Sequence, residues 1–354
     1  MYHGKTISVA IATYNGEKYI AEQVFSILNQ TVVPDEIVIS DDGSKDKTVE
    51  ILREIAHSFP NISIYTDNPR HGFAFNFGHA VSKCSGDILF LSDQDDIWDS
   101  KKVEHIAEVY CRYPDALCVF HNAASVDSDG KPNHILFNSF IQSLADSLPI
   151  GEVKKVNGYP NCEKAASAPL VNGMVMSVSR ELLKTAFPFP PISSQHDGWL
   201  WFCSEALDGC YYLNEILTNR RLHTDNTSGA GRQGFGISRV KKVFHNIAKQ
   251  NDVARTRFLY AQYMQEYIHM HCSDDNAGAM HALPTISRVS EIGRTEISAA
   301  SSGRLLGAIK LIKLYVCDIR YRRSGGKIFL YELTNILVRS KKKRLESLKD
   351  IIRQ

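Results

Sequence analysis

No two of the eight cysteines (Cys84, Cys111, Cys118, Cys162, Cys203, Cys210, Cys272, Cys317) form a Cys-x-x-Cys pair. The spacing of a zinc cluster or a dithiol redox centre is therefore missing, and reduced thiols are expected. No apolar run approaches the about 18–20 residues that cross a bilayer. Met1 to Lys5 lead toward a strand without the apolar h-region of a signal peptide. These absences give the expectation of a cytoplasmic protein. No G-x-G-x-x-G follows the first apolar run and no P-loop is present, which argues against dinucleotide and NTPase sites. Nucleic acid is not an expected partner, because no recognised binding motif accompanies the basic residues.

What remains is an ordinary folded composition, 44% hydrophobic and 23% charged over 354 residues. That length suggests about two domains. Charge is unevenly placed along it. Residues 301–354 hold 14 Lys and Arg against four Asp and Glu, so a total of +2 leaves −8 for the first 300 residues. The basic end interleaves Arg320, Arg322, Arg323 and Lys341-Lys342-Lys343-Arg344 with Leu311, Ile312, Leu314, Tyr315 and Val316. Two readings stand: a helical appendage with a solvated charged face, or a basic amphipathic segment that docks peripherally on the inner face of an anionic membrane.

The first hundred residues alternate short apolar runs with helical patterns. Strands are predicted at 7–11, 36–39, 62–65 and 88–91, and helices at 18–28, 48–56 and 73–81. Strands that are apolar throughout and separated by helices predict a parallel sheet covered on both faces, with ligands at the carboxyl ends of its strands. The residues after each run are polar. Thr13-Tyr14-Asn15-Gly16, Asp41-Asp42-Gly43-Ser44, Asp67-Asn68-Pro69-Arg70 and Asp93-Gln94-Asp95-Asp96 follow in turn. Each alone is good turn chemistry. Together they form one polar edge, in which Tyr14 can stack on a base, Asp42 can accept from it, and Arg70 or His71 can face phosphate.

The fourth segment is the most demanding. Three carboxylates in four residues repel one another and resist desolvation unless a cation compensates. A hard divalent ion that shares its shell with a diphosphate would do so. The competing reading is an acidic turn capping a helix that begins near Ser100. An EF-hand loop does not fit, since its sixth position, here Trp98, should be glycine.

The segments 8–15, 39–44 and 86–96, in that order and spacing, resemble a family 2 glycosyltransferase with the GT-A fold over about residues 5–230. The resemblance implies a Rossmann-like mixed sheet flanked by helices, followed by a helical C-terminal extension. It divides the chain into a nucleotide-sugar half (1–125), an acceptor half (126–230) and a basic helical region (231–354). It implies that Thr13, Tyr14 and Asp42 hold base and ribose, that Asp93 faces the nucleotide, and that Asp95 binds Mg2+ or Mn2+ with His223. Asn15, Arg70, Asn76, Gln94, Gly173 and Arg221 complete the nucleotide-sugar set, and Asp96 is read as a cap for the segment after it. The glutamine in the acidic motif, followed by Ile97-Trp98, is similar to the rhamnosyltransferase-like branch. So is the segment beginning Arg220-Arg221-Leu222-His223, although Arg220 stands where tyrosine is usual.

Inverting transfer also needs a base on the acceptor side. Asp197 lies where a proline-rich loop gives way to an apolar helix bearing Trp199 and Trp201, and its plainer reading is a helix-start aspartate. The resemblance makes it the catalytic base, with Glu205 as the fallback and Val171–Met174 as a glycine-bearing strand beside the donor sugar. Trp199 and Trp201 are read as core. The expected activity is transfer of a sugar, with rhamnose first, from a dTDP-rhamnose or UDP-sugar donor to a saccharide or lipid-linked glycan acceptor. A sugar nucleotidyltransferase would share the sheet and the carboxylates, but it carries a glycine-rich basic loop that Thr13–Glu17 lacks. An idle nucleotide-sugar or calcium binding module is the third reading. Helices are further expected at 240–250, 253–271 and 304–321.

Overall fold

The computed structural model describes residues 1–67, 72–133, 138–156, 171–190, 196–223, 259, 261–272 and a few helical positions between 283 and 294. Arg70, His71, Thr224 to Gly229, Lys341 to Arg344 and the helices expected at 240–250 and 304–321 lie outside the described residues. The chain separates into two compact units, Met1–Gln233 with Tyr267–Ala282, and Gly234–Glu266 with Leu283–Gln354. Among the described residues no helix is long and apolar enough to cross a membrane.

The first unit is built on a ten-stranded mixed sheet. Its strands are β1 (Ile7–Thr13), β2 (Glu36–Asp41), β3 (Ile62–Tyr65), β4 (Ile88–Ser92), β5 (Ile97–Trp98), β6 (Cys118–Val126), β7 (Pro132–Asn133), β8 (Val153–Lys155), β9 (Met176–Ser179) and β10 (Cys210–Arg221). The order is β3-β2-β1-β4-β9-β6-β10-β5, with β7 beside β6 and β8 beside β10. The apolar runs Ile7–Ile11 and Ile88–Leu91 are wholly buried, as parallel strands covered on both faces require. Around the sheet lie α1 (Ile20–Leu28), α2 (Thr48–Ser58), α3 (Phe73–Lys83), α4 (Lys102–Arg112), α5 (Ser139–Ala145), α6 (Arg180–Ala186) and α7 (His196–Ala206). Ile20, Val24, Ile27 and Leu28 of α1 and Leu52 and Ile55 of α2 are buried on their apolar faces. The helix expected from Lys18 begins at Ile20, because Tyr19 N and Ile20 N both return to Gly16 O in a tight turn. Trp199 and Trp201 are buried, as expected of core.

Strand direction decides what meets at the functional edge. The four strands β1 to β4 are mutually parallel, so Thr13, Asp41, Tyr65 and Ser92 end on one side. Between β4 and β6, β9 runs antiparallel to both, so the residues that precede it arrive at that same side. Because β10 is parallel to β6, its end at Arg221 arrives there too. The Val171–Met174 segment is not the expected strand: Gly173–Val175 form a 3-10 turn that leads into β9.

Candidate active site

The loops after β1 and β2 are tied into one shelf. Thr13 is buried and its hydroxyl donates to Asp41 Oδ2 at 2.9 Å, while Asp41 Oδ1 accepts from Gly43 N and Ser44 N. Asn15, at φ 50°, accepts from Lys45 N at 2.8 Å, and its own N–H donates to Ser44 Oγ. Asn tolerates that left-handed backbone better than most residues. Asn76 donates to Thr13 O at 3.1 Å from α3, and Asp42 Oδ2 accepts from Gly72 N at 3.1 Å at the start of the same helix. Thr13, Asn15 and Asn76 thus direct these polar atoms into the framework. Tyr14 is half-buried on the shelf.

Directly after β4, Asp93, Asp95 and Asp96 each bring a carboxylate oxygen within 4.8 Å of the others. Burial, then the charges of Asp95 and Asp197, push the Asp93 carboxyl up to about 7. Asp96 rises as well, through burial and its two neighbours, and its Oδ2 is buried without a hydrogen-bond partner. Three crowded hard oxygen donors, one with a buried oxygen that has no hydrogen-bond partner, fit a divalent cation such as Mg2+ or Mn2+. Asp96 does not cap the following helix. It accepts from Arg221 N on β10 at 3.1 Å, and Asp99 makes the turn into α4 by accepting from Lys101 N.

Arg221, read as part of the nucleotide-sugar set, is placed as a strut between the acidic motif and its surroundings. Only 2% exposed, it donates Nε to Asp95 O at 3.1 Å, Nη1 to Ser128 O at 3.0 Å and Nη2 to Glu22 Oε2 at 2.6 Å, and it lies over the Tyr19 ring. Every guanidinium nitrogen is engaged. His223 Nε2 lies 2.8 Å from Asp95 Oδ2, so this ring reaches the acidic motif through Asp95. Gln94 also turns inward: its Oε1 accepts from Tyr14 N at 2.9 Å and its Nε2 donates to Tyr14 O at 3.1 Å.

Asp197 begins α7, with its Oδ2 accepting from Gly173 N at 3.2 Å and its Oδ1 from Gly198 N at 2.8 Å. A Cβ on Gly173 would lie only 3.1 Å from His196 Nε2, and at ordinary contact with Leu91 and Asp197 Cβ, so this glycine sits where the end of β4 and the start of α7 meet. Beside it His196 stacks on Phe77 at 4.1 Å, with both ring nitrogens unpartnered, and burial lowers its pKa. Glu205, read as the fallback base, is 4% exposed, and burial raises its carboxyl well above the usual range.

Sequence reasoning missed Lys102. Fully buried, it donates Nζ to Met174 O at 2.8 Å and Thr218 Oγ1 at 3.0 Å and sits over the Trp98 ring. Its Nζ faces Asp96 and Asp93, whose charges oppose the fall that burial imposes on its pKa. Helical spacing carried the signal, since Lys102 lies four residues before Ile106 and seven before Val109 on the buried face of α4.

With this geometry in place, likeness to known proteins is informative. Residues 8–162 match the family described as glycosyl transferase family 2. That stretch is similar to a family 2 glycosyltransferase domain. Over 224 residues it is 29% identical to an uncharacterized glycosyltransferase of Nostoc sp., covering 62% of this chain and 66% of that one. Over 128 residues it is 34% identical to the dTDP-rhamnosyl transferase RfbG of Shigella flexneri, covering 35% and 44%. The chain thus spans less than two thirds of these relatives. Staphylococcus aureus TarS, residues 1–349, solved with UDP-GlcNAc, superposes with a TM-score of 0.52 at 14% identity, covering 98% of this chain and 91% of that one. At that identity it is the fold that is shared, and it is the GT-A fold. The family 2 match holds the shelf and the acidic motif; Gly173, Asp197, Arg221 and His223 lie beyond residue 162.

Proposed function

We propose that the protein is an inverting glycosyltransferase that moves a sugar from a nucleoside-diphosphate donor to a saccharide or lipid-linked glycan acceptor during surface polysaccharide synthesis. The observation that carries this reading is convergence at Gly173. The acidic motif approaches from β4 and Asp197 from α7, near enough that the charge of Asp197 reaches Asp93. Tyr14 and Asp42 hold the base and ribose, and Asp93 faces the ribose and diphosphate. Asp95, with Asp93 and Asp96 beside it, would hold a divalent cation, which when bound would supply charge stabilisation for the departing diphosphate. Asp197 takes the proton of the acceptor hydroxyl as its oxygen bonds to the anomeric carbon. The bond from that carbon to the diphosphate oxygen breaks, and one displacement inverts the centre. Rhamnose from dTDP-rhamnose is the first donor to try, supported by the partial likeness to RfbG and by Gln94 and Ile97-Trp98 in the motif. UDP-sugars follow. The basic end docks the protein peripherally on a membrane, where a lipid-linked acceptor would be met.

A thermal-shift panel of nucleotide sugars with and without manganese tests the donor side, since a ligand at 100 times its Kd adds about 2.7 kcal/mol. The expected result is a shift that needs both nucleotide and metal. Asp197→Asn should keep that shift and lose about 10²- to 10⁴-fold in transfer rate. Undiminished transfer by the variant would remove Asp197 as the base, and a native protein that binds donor without consuming it would favour a binding module.

A further inference from the structure

The side chain of Gln94 links two parts of the site directly, beside the pairing of β1 with β4 and the Arg221 strut from Asp95 O to Glu22. Its amide makes a reciprocal pair with one residue, accepting from Tyr14 N at 2.9 Å and donating to Tyr14 O at 3.1 Å. Its own backbone lies between Asp93 and Asp95, in the group of three carboxylates. The pair therefore bolts the peptide that carries Tyr14 to the peptide that carries the acidic motif. Gly16 makes room for it: a Cβ there would fall 2.7 Å from Gln94 Cδ, far inside van der Waals contact. The rest of the Tyr14 loop is fastened elsewhere, through Asn15 N to Ser44 Oγ, Lys45 N to Asn15 Oδ1 and Gly16 N to Thr48 Oγ1. Those bonds tie it to the loop after β2 and to the first residue of α2. None of them reaches the carboxylates.

We propose that Gln94 is a positioning residue that couples the nucleoside shelf to the cation site through the protein itself, so that filling either one raises the affinity of the other. Rigid side-chain pairs of this kind transmit coupling because ordering one segment removes freedom from the other. The coupling is reciprocal, so either ligand reports it. The inference rests on the proposed nucleotide and metal site and assigns Gln94 a role other than donor contact.

The test uses ligands that cannot touch one another. Uridine and thymidine lack the diphosphate, so any effect they exert on manganese travels through the chain. Binding of Mn2+ to the full-length protein is followed by the loss of its free-ion electron paramagnetic resonance signal, with and without saturating nucleoside. In the native protein the nucleoside should tighten Mn2+ binding about 5-fold or more, within the usual range of coupling between sites. Gln94→Leu keeps the bulk and loses the amide, and Gly16→Ala expels the amide from the other side. Both should bind Mn2+ and nucleoside singly, with the coupling reduced to less than 2-fold and the fold intact by circular dichroism. Coupling that is absent in the native protein, or that survives in both variants, overturns the inference and leaves the proposed function standing. Failure of the native protein to bind either ligand overturns the site reading as well.

Discussion

Glu205 sits on α7 with neither carboxylate oxygen hydrogen-bonded, and burial holds its carboxyl well above the ordinary value of 4.5. The unfolded chain releases that proton near pH 4.5. Between that value and the raised folded one, the native state therefore binds more protons than the unfolded state, and stability declines as pH rises, by about 1.4 kcal/mol per unit from this group. Glu205→Gln removes the titration. Denaturant unfolding at pH 5 and pH 8 should show the variant gaining on the native protein at the higher pH, with the two nearly equal at the lower; a constant difference would refute the linkage. This carboxylate, like Lys102, shows what single positions conceal. The carboxylates at the strand ends were legible because turn chemistry and charge crowding are local in sequence. The inward turn of Gln94, Arg221 and Lys102 was not, since each meets partners 80 or more residues away, or in two other elements at once.

The alternation of elements was legible because burial on both faces of a parallel strand leaves a near-continuous apolar run, and such runs mark β1, β2 and β4 directly, while β3 at the sheet edge is only part-buried. The turn at Gly173 escaped because its conformation is set by the closure of β4 on α7, which no local pattern records. Closure also sets two glycine predictions of opposite sign. A Cβ at Gly86 would lie 2.8 Å from Ser8 N and 3.0 Å from the Ile7 carbonyl carbon, and backbone cannot step aside. Gly86→Ala should therefore cost about 1–3 kcal/mol by forcing apart β1 and the start of β4. At Gly78, inside α3, the new methyl would meet Phe189 at an ordinary 3.5 Å. Gly78→Ala should stabilise by about 0.5–1 kcal/mol through helix propensity. Thermal melts of the two variants should bracket the native midpoint, and a fall for both would show that the Phe189 contact is tighter than its geometry.

Across the whole chain, charge is divided more sharply than the total of +2 suggests, with −8 in the first 300 residues and +10 in the last 54. A proposed reaction on a lipid-linked acceptor would place such an end to use. Each basic residue near an anionic leaflet contributes about 1 kcal/mol, and the attraction decays over a Debye length of about 8 Å at physiological salt. The acidic body is repelled by the same surface, so docking through the basic end would also orient it. Sedimentation with vesicles of mixed phosphatidylcholine and phosphatidylserine should therefore carry the full-length protein down at low salt and release it at high salt. Replacing Lys341, Lys342, Lys343 and Arg344 by Gln removes four of these contributions, an expected fall of roughly 10²- to 10³-fold in the partition coefficient. Neutral vesicles should bind neither protein. Binding that ignores salt, or survives the four replacements, would mean that the apolar positions between the charges hold the membrane instead, and equal binding to neutral vesicles would remove the electrostatic account altogether.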